Sequence, residues 1–142
     1  MSDRIILDSG PLGMIAHPRP NREIAEWFRH LLERGTTVMI SEIADYEIRR
    51  SFLLEGLCES VRRLDQLKTT LAYLPLTTEI MLKAAQFWAE ARRSHQPTAD
   101  PRALDIDVIL AAQALKADAI IATEDVGHLT RFVEAKHWKE IG

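Results

Sequence analysis

Acidic residues mark the places in this sequence where apolar runs end or begin. Asp8 closes the run RIIL, and Thr123-Glu124-Asp125 closes the run at 119–122. Asp105 and Asp107 head an Ala/Leu/Ile-rich stretch, while Glu42, Asp45 and Glu47 crowd into SEIADYEIRR. Carboxylates brought to one place repel, and without a cation some would be protonated or spread apart. A hard divalent ion resolves that conflict. Mg2+ or Mn2+ takes oxygen ligands and keeps several waters, so it needs only a few carboxylates plus the oxygens of a phosphate. Zinc would want His or Cys, but the histidines are scattered without ligand spacing and Cys58 is the only cysteine. The matching chemistry is hydrolysis at phosphorus by a metal-acidified water.

Whether these acids meet depends on the elements that carry them. Residues 4–7 read as a short apolar strand. Ser9 is expected to cap, and Pro11 to open, a short helix at 11–16 that His17-Pro18-Arg19-Pro20 breaks. Asn21 caps a helix at 22–34, in which Ile24, Trp27, Phe28, Leu31 and Leu32 recur at the helical period, and Gly35 ends it. Residues 37–40 form a second, β-branched strand. Ser41 caps a third helix that stops near Gly56, and a fourth runs over 57–70 with Val61, Leu64 and Leu67 inward. The third strand is 71–76, where Pro75 marks an edge strand or a strand end. Thr78 caps a helix at 79–94 with Met81, Leu82, Ala84, Ala85, Trp88 and Ala89 facing inward. A loop, HQPTADPRA, carries Arg102, a candidate phosphate contact. The helix opened by Asp105 and Asp107 then leads into a fourth strand at 119–122. Val133 is assigned to a fifth strand, and Trp138 and Ile141 to packing back on the sheet.

This alternation predicts an α/β fold of three layers: a mainly parallel four- or five-stranded sheet with helices on both faces. Ligands of such sheets bind at the carboxyl edge. Asp8 and Asp125 end strands there. Glu47 sits one turn into the helix after the second strand, and Asp107 opens the helix that leads into the fourth. Glu42 competes with Glu47, and Asp105 with Asp107, and periodicity settles neither case. Asp45 and Arg49 form an i,i+4 pair expected on a solvated face.

Length and composition limit the rest. A chain of 142 residues, 46% hydrophobic and 27% charged, suits one ordinary globular domain spanning 1–142. The net charge of −3 argues against holding nucleic acid by a broad basic field. The densest basic region is Arg49, Arg50, Arg62, Arg63 and Lys68; it is either a solvated helix face or a place for a phosphate backbone to lie. A lone cysteine allows no internal disulfide and fits a reducing, cytoplasmic setting. Asp3, Arg4 and Asp8 interrupt any apolar start, so no signal peptide is expected. No apolar stretch approaches the ~20 residues that span a bilayer, so no membrane contact is expected.

Four segments in order, LDSGPL with Asp8, ISEIADYEIRR with Glu47, DVILAAQAL with Asp107 and IIATEDVGHL with Asp125, resemble the PIN-domain family. Within it they resemble the small VapC-type toxins of toxin–antitoxin pairs. The resemblance covers nearly the whole chain. It implies a PIN-like fold, and metal-binding and catalytic roles for Asp8, Glu47, Asp107 and Asp125. It gives Thr123 a supporting hydroxyl and places Ser9 after the first acid, as in many members. It favours Glu47 over Glu42 through the Glu-Ile-Arg-Arg context, and Asp107 over Asp105 through the Asp-x-x-x-Ala-Ala interval. It further implies a Mg2+-dependent endoribonuclease, with Mn2+ as a substitute, a small antitoxin partner and a homodimer; the sequence alone allows DNA as well as RNA. The helices carrying Trp27, Phe28 and Leu57 are the candidate dimer surface. Three features depart from the family pattern. Gly10 stands where Ser or Asn is common, Glu124 adds an acid beside Asp125, and Asp105 is a further acid near the site. The principal alternative is a catalytically silent PIN-fold module that binds RNA or protein. A receiver-like phosphoacceptor ranks lower, because an acidic pair after the first strand and a Lys ending a late strand are both missing.

Overall fold

The computed structural model describes residues 4–94, 101–127 and 129–142, with the backbone alone for 101–103. His128, residues 95–100 and the side chain of Arg102 lie outside that description. Five strands form the sheet: β1 (Arg4–Leu7), β2 (Thr37–Ser41), β3 (Ala72–Leu74), β4 (Ile120–Thr123) and β5 (Ala135–His137). Their order is β3-β2-β1-β4-β5, and every neighbouring pair is parallel. The chain steps outward from β1 to β3, then returns to the other side of β1 for β4 and β5. The direction of winding therefore reverses between β1 and β4, where open α/β sheets leave a crevice at their carboxyl ends.

The central strands are apolar throughout because helices cover both faces. Ile5 and Leu7 of β1 point into one cluster with Val38, Ile40, Ile120 and Ala122. Ile6 points the other way, to Met39, Ile121, Leu110 and Ala114, as the two-residue period of a strand requires. The first face is covered by α1 (Ser9–Ala16), α2 (Arg22–Glu33), α3 (Glu42–Leu54) and α4 (Cys58–Thr70); the second is covered by α6 (Pro101–Ala117). Helix α5 (Thr78–Arg93) packs chiefly on α6, through Ile80, Ala84 and Ala91 against Leu104, Val108 and Ala112. The three-layer fold and its parallel sheet agree with expectation, including β3 as the edge strand before Pro75. Trp138 is buried, and Ile141 packs on the core and accepts a hydrogen bond from Trp27 Nε1 at 2.9 Å. The fifth strand lies at 135–137 rather than at Val133, which packs beside it.

Several local expectations are corrected. Asp8, not Ser9, is the N-cap of α1, and Thr77, not Thr78, caps α5. Helix α6 begins at Pro101, so Asp105 and Asp107 lie inside it rather than at its mouth; Pro at a first helical position is the signal that marks this start. Met81, Leu82, Ala85 and Trp88 are exposed rather than inward. One neighbouring helix, α6, covers only a narrow stripe of α5. Trp27 and Phe28 are half-buried, and Trp27 rests on Trp138 at 5.5 Å between ring centroids. Of the candidate dimer surface, Leu57 remains exposed.

Asp45 is the clearest reversal. It is 4% exposed, and three groups converge on its carboxylate. Arg49 Nε lies 2.9 Å from Oδ1, Lys68 Nζ 3.2 Å from Oδ2, and the Tyr73 hydroxyl donates to Oδ2 at 3.1 Å. Burial, then Asp45, holds the Tyr73 phenol well above its ordinary range. Arg49 also reaches Asp65 at 2.8 Å, and Arg62 pairs with Glu59. Much of the basic region is thus neutralised by the protein's own acids, binding α3, α4 and β3 together. Replacing Asp45 with Ala should cost about 2 kcal/mol, the scale of hydrogen bonds to a charged group. Equilibrium urea unfolding at pH 7 measures it, and an unchanged midpoint would show that the cluster contributes nothing.

Candidate functional site

The site is built at the reversal point. Asp8 follows β1, and its backbone N–H donates to Ala122 O at 2.9 Å, extending the β1–β4 pairing by one residue. Its side chain caps α1, with Oδ1 accepting from Ser9 N–H at 2.8 Å. Oδ2 accepts from the Thr123 hydroxyl at 2.7 Å. Thr123 is buried at the end of β4, and its Oγ1 accepts from Asp125 N–H at 3.1 Å. One hydroxyl therefore positions the first acid and the turn that carries the last. Asp125 closes that turn by accepting from Gly127 N–H at 3.0 Å. Gly127 has φ +48, a conformation that glycine adopts without strain.

Two helices supply the remaining acids. Glu47 is half-buried on α3, and Asp107 is half-buried on α6. Burial, then the charges of Asp8, Glu47 and Asp125, push the Asp107 carboxyl up to about 7. Burial raises Asp8 as well; its hydrogen bonds from Thr123 and Ser9 lower it, and Asp125 adds to the rise. All four expected acids thus share one electrostatic environment centred on Asp107. Glu42 does not join them: its Oε1 accepts from Leu76 N–H at 2.7 Å and holds the segment after β3. Asp105 is exposed, turned about 200° around α6 from Asp107. Ser9 contributes its backbone N–H to Asp8.

Glu124 is held away from its neighbour. Its Oε1 accepts from Trp138 Nε1 at 2.7 Å, and His137 Nε2 lies 3.8 Å from Oε2. A Cβ built on Gly10 would stand 2.9 Å from Glu124 Cγ. Two departures from the family pattern are therefore one arrangement: the missing side chain at Gly10 makes room for the long one at Glu124. That contact joins residues 114 apart and carries no signal in the sequence, nor does the full burial of Gln113 on α6.

The donor set fits a hard divalent cation, since it is made of carboxylate oxygens with no Cys among them. Among the described residues no three His, Cys, Asp or Glu side chains stand close enough to hold one ion between them. The fit is to a hydrated ion that takes one or two carboxylates directly. A cavity of about 470 Å3 lies elsewhere, between α5 and α6, lined by residues such as Ile80, Leu82, Leu115 and Lys116, and contains none of the acids.

An acidic crevice at the reversal point of a five-stranded parallel sheet defines the class of fold, and the comparisons make it specific. The PIN-domain family model matches residues 5–132, and the chain belongs to the PIN-domain family. It is similar to a chain of FitAcB from Neisseria gonorrhoeae, with 25% identity and a TM-score of 0.74 over 96% of this chain and 99% of that one. VapBC2 from Rickettsia felis, crystallised bound to a DNA fragment from their promoter, gives 14% identity and a TM-score of 0.76 over 95% and 98%. VapBC-1 from nontypeable Haemophilus influenzae gives 16% and 0.69 over 96% and 98%; these last two likenesses speak to the fold. Comparison with curated proteins gives no match.

The raised carboxyl at Asp107 has a signed consequence. The folded protein holds a proton up to pH of about 7 that the unfolded chain, with a pKa near 3.8, has already released. Stability of the cation-free protein therefore falls as pH rises across that interval. In EDTA, the thermal midpoint should be lower at pH 7.5 than at pH 5.5, and Asp107→Asn should remove much of the difference. Identical slopes in the two proteins would contradict this.

Proposed function

We propose that the protein is a divalent-cation-dependent endoribonuclease, the toxin of a toxin–antitoxin pair. The observation that carries the reading is the meeting of Asp8 and Asp125 through Thr123 at the carboxyl ends of β1 and β4, with Asp107 and Glu47 on helices near enough for their charges to be felt there. The PIN-domain match over residues 5–132 supports nuclease chemistry. The structural likeness to VapBC and FitAcB proteins supports a toxin-type member with an antitoxin partner. RNA as substrate and a homodimer are what the family resemblance implies, and a cytoplasmic setting is what the single cysteine fits. No helix among the described residues is long and apolar enough to cross a membrane.

In this reading Asp8 and Asp107 would hold Mg2+ or Mn2+ directly, and Glu47 and Asp125 would act through the waters around the ion, orienting the attacking one. When bound, the ion supplies Lewis acidity, easing deprotonation of a water and screening the scissile phosphate. The Thr123 hydroxyl donates a hydrogen bond to Asp8 Oδ2 and so orients that carboxylate, leaving its remaining lone pairs available. Asp107 gives up its proton to bind a cation, so affinity depends on pH. With the net charge at −3, a cation-bridged phosphate is the route by which the chain engages a polyanion.

Asp8→Asn removes the charge and keeps one oxygen to cap α1; its NH2 replaces the oxygen that accepts from Thr123, and the Thr123 hydroxyl turns to donate to Asp125 O, 3.1 Å away. The substitution should reduce Mn2+-dependent cleavage of structured RNAs by roughly 100-fold or more, several kcal/mol of transition-state stabilisation, without changing the circular dichroism spectrum. Cleavage at the wild-type rate would end the proposal. A second measurement follows from Asp107: Mn2+ should bind more tightly at pH 8 than at pH 6 by calorimetry, and a pH-independent constant would argue against Asp107 as a ligand.

A further inference from the structure

Two of the four acids are positioned by the pairing of β1 with β4. The other two stand on helices whose separation no strand pairing fixes. Glu47 rides on α3 and Asp107 on α6, and these helices meet where Gln113 is buried. Gln113 is 0% exposed. Its Nε2 donates to Leu74 O at the end of β3 at 2.8 Å, and its Oε1 accepts from Ile43 N–H in the first turn of α3 at 3.4 Å. Ile43 lies one turn before Glu47, and Gln113 lies six residues after Asp107 on the same helix. Glu42 braces the same corner from α3 to Leu76.

An apolar side chain would fill this position at less cost, because a buried amide must find partners for both ends. Leu110 and Ile43 already supply apolar contact between the helices. Apolar contact alone tolerates sliding, whereas hydrogen bonds to named backbone atoms set register. We infer that Gln113 is a positioning residue, fixing α6 against α3 and β3 so that Asp107 and Glu47 face the same cation. This rests on the reading of the four acids given above.

The test uses the full chain with Cys58→Ser and nitroxide labels at two exposed positions, Tyr46 on α3 and Leu115 on α6. Pulsed electron paramagnetic resonance reads the distance between the helices in the cation-free protein, and calorimetry with Mn2+ alone reads the site. Gln113→Met keeps the volume and removes both hydrogen bonds. It should broaden or shift the interhelical distance and weaken Mn2+ binding by roughly 10- to 100-fold, the usual cost of losing a group that orients a ligand. Leu110→Val, a cavity-forming change on the same helix, should lower the thermal midpoint yet keep the wild-type distance and Mn2+ affinity. If Gln113→Met does not fold, Gln113→Asn, an amide of shorter reach, is read the same way. An unchanged distance overturns the inference. So does a changed distance with wild-type Mn2+ affinity, or an equal loss of affinity in Leu110→Val. Wild-type Mn2+ binding by Asp107→Asn removes the four-acid reading itself, and the positioning role with it, whatever the distances show.

Discussion

The hydrogen bond from the Thr123 hydroxyl to Asp8 is the contact on which the site depends. It spans the two central strands at the place where the winding of the sheet reverses, and it joins residues 115 positions apart in sequence. The same oxygen accepts from the backbone of Asp125. The relative placement of the first and last acids is therefore set by one buried threonine rather than by loops. Parallel pairing makes this possible, because both strands finish at the same edge.

Around that contact the protein sustains an electrostatic conflict. Asp107 enters the crevice from a helix and meets the charges of three other acids in a partly buried place. In the absence of a cation it answers by keeping a proton to about pH 7. Elsewhere the chain resolves burial of charge locally: Asp45 is as buried as many core residues but is surrounded by Arg49, Lys68 and Tyr73. The two carboxylates show the difference between an acid satisfied by its own protein and one left open to a partner from solution.

Much of this was legible in the sequence. Strand-end positions are read directly from where apolar runs stop, so chain order alone locates Asp8 and the segment Thr123-Glu124-Asp125, while the preference for Asp125 over Glu124 rests on the family resemblance. The parallel sheet followed from the alternation of elements. The helix-borne acids were harder. The apolar run that starts after Asp107 points to a helix mouth there, whereas Pro101 carries the better signal for the start of α6. The i,i+4 partner of Asp45 suggests a solvated face, because such a pair looks the same on a surface as in a cleft; only tertiary packing from α4 and β3 distinguishes them. The inward face of α5 is not given by period alone, which does not reveal that α5 rests chiefly on α6, with Phe132 and Leu76 beside it. Glu124 and Gly10 were each seen as departures, but their contact is visible only once β1 and β4 lie side by side.

The strand order also sets when the site can exist during synthesis. β1 can pair with β2 once residues 37–41 have been made, yet its other partner waits for residues 120–123, and pairings this distant in sequence are slow to form. A chain cut short before β4 carries Asp8, Glu47 and Asp107 but has neither the threonine that aims the first acid nor the turn that supplies the last. Such a fragment has three of the four candidate acids and lacks the strand that brings Asp8 to the last. The topology keeps the candidate site incomplete until nearly the whole sheet has been made.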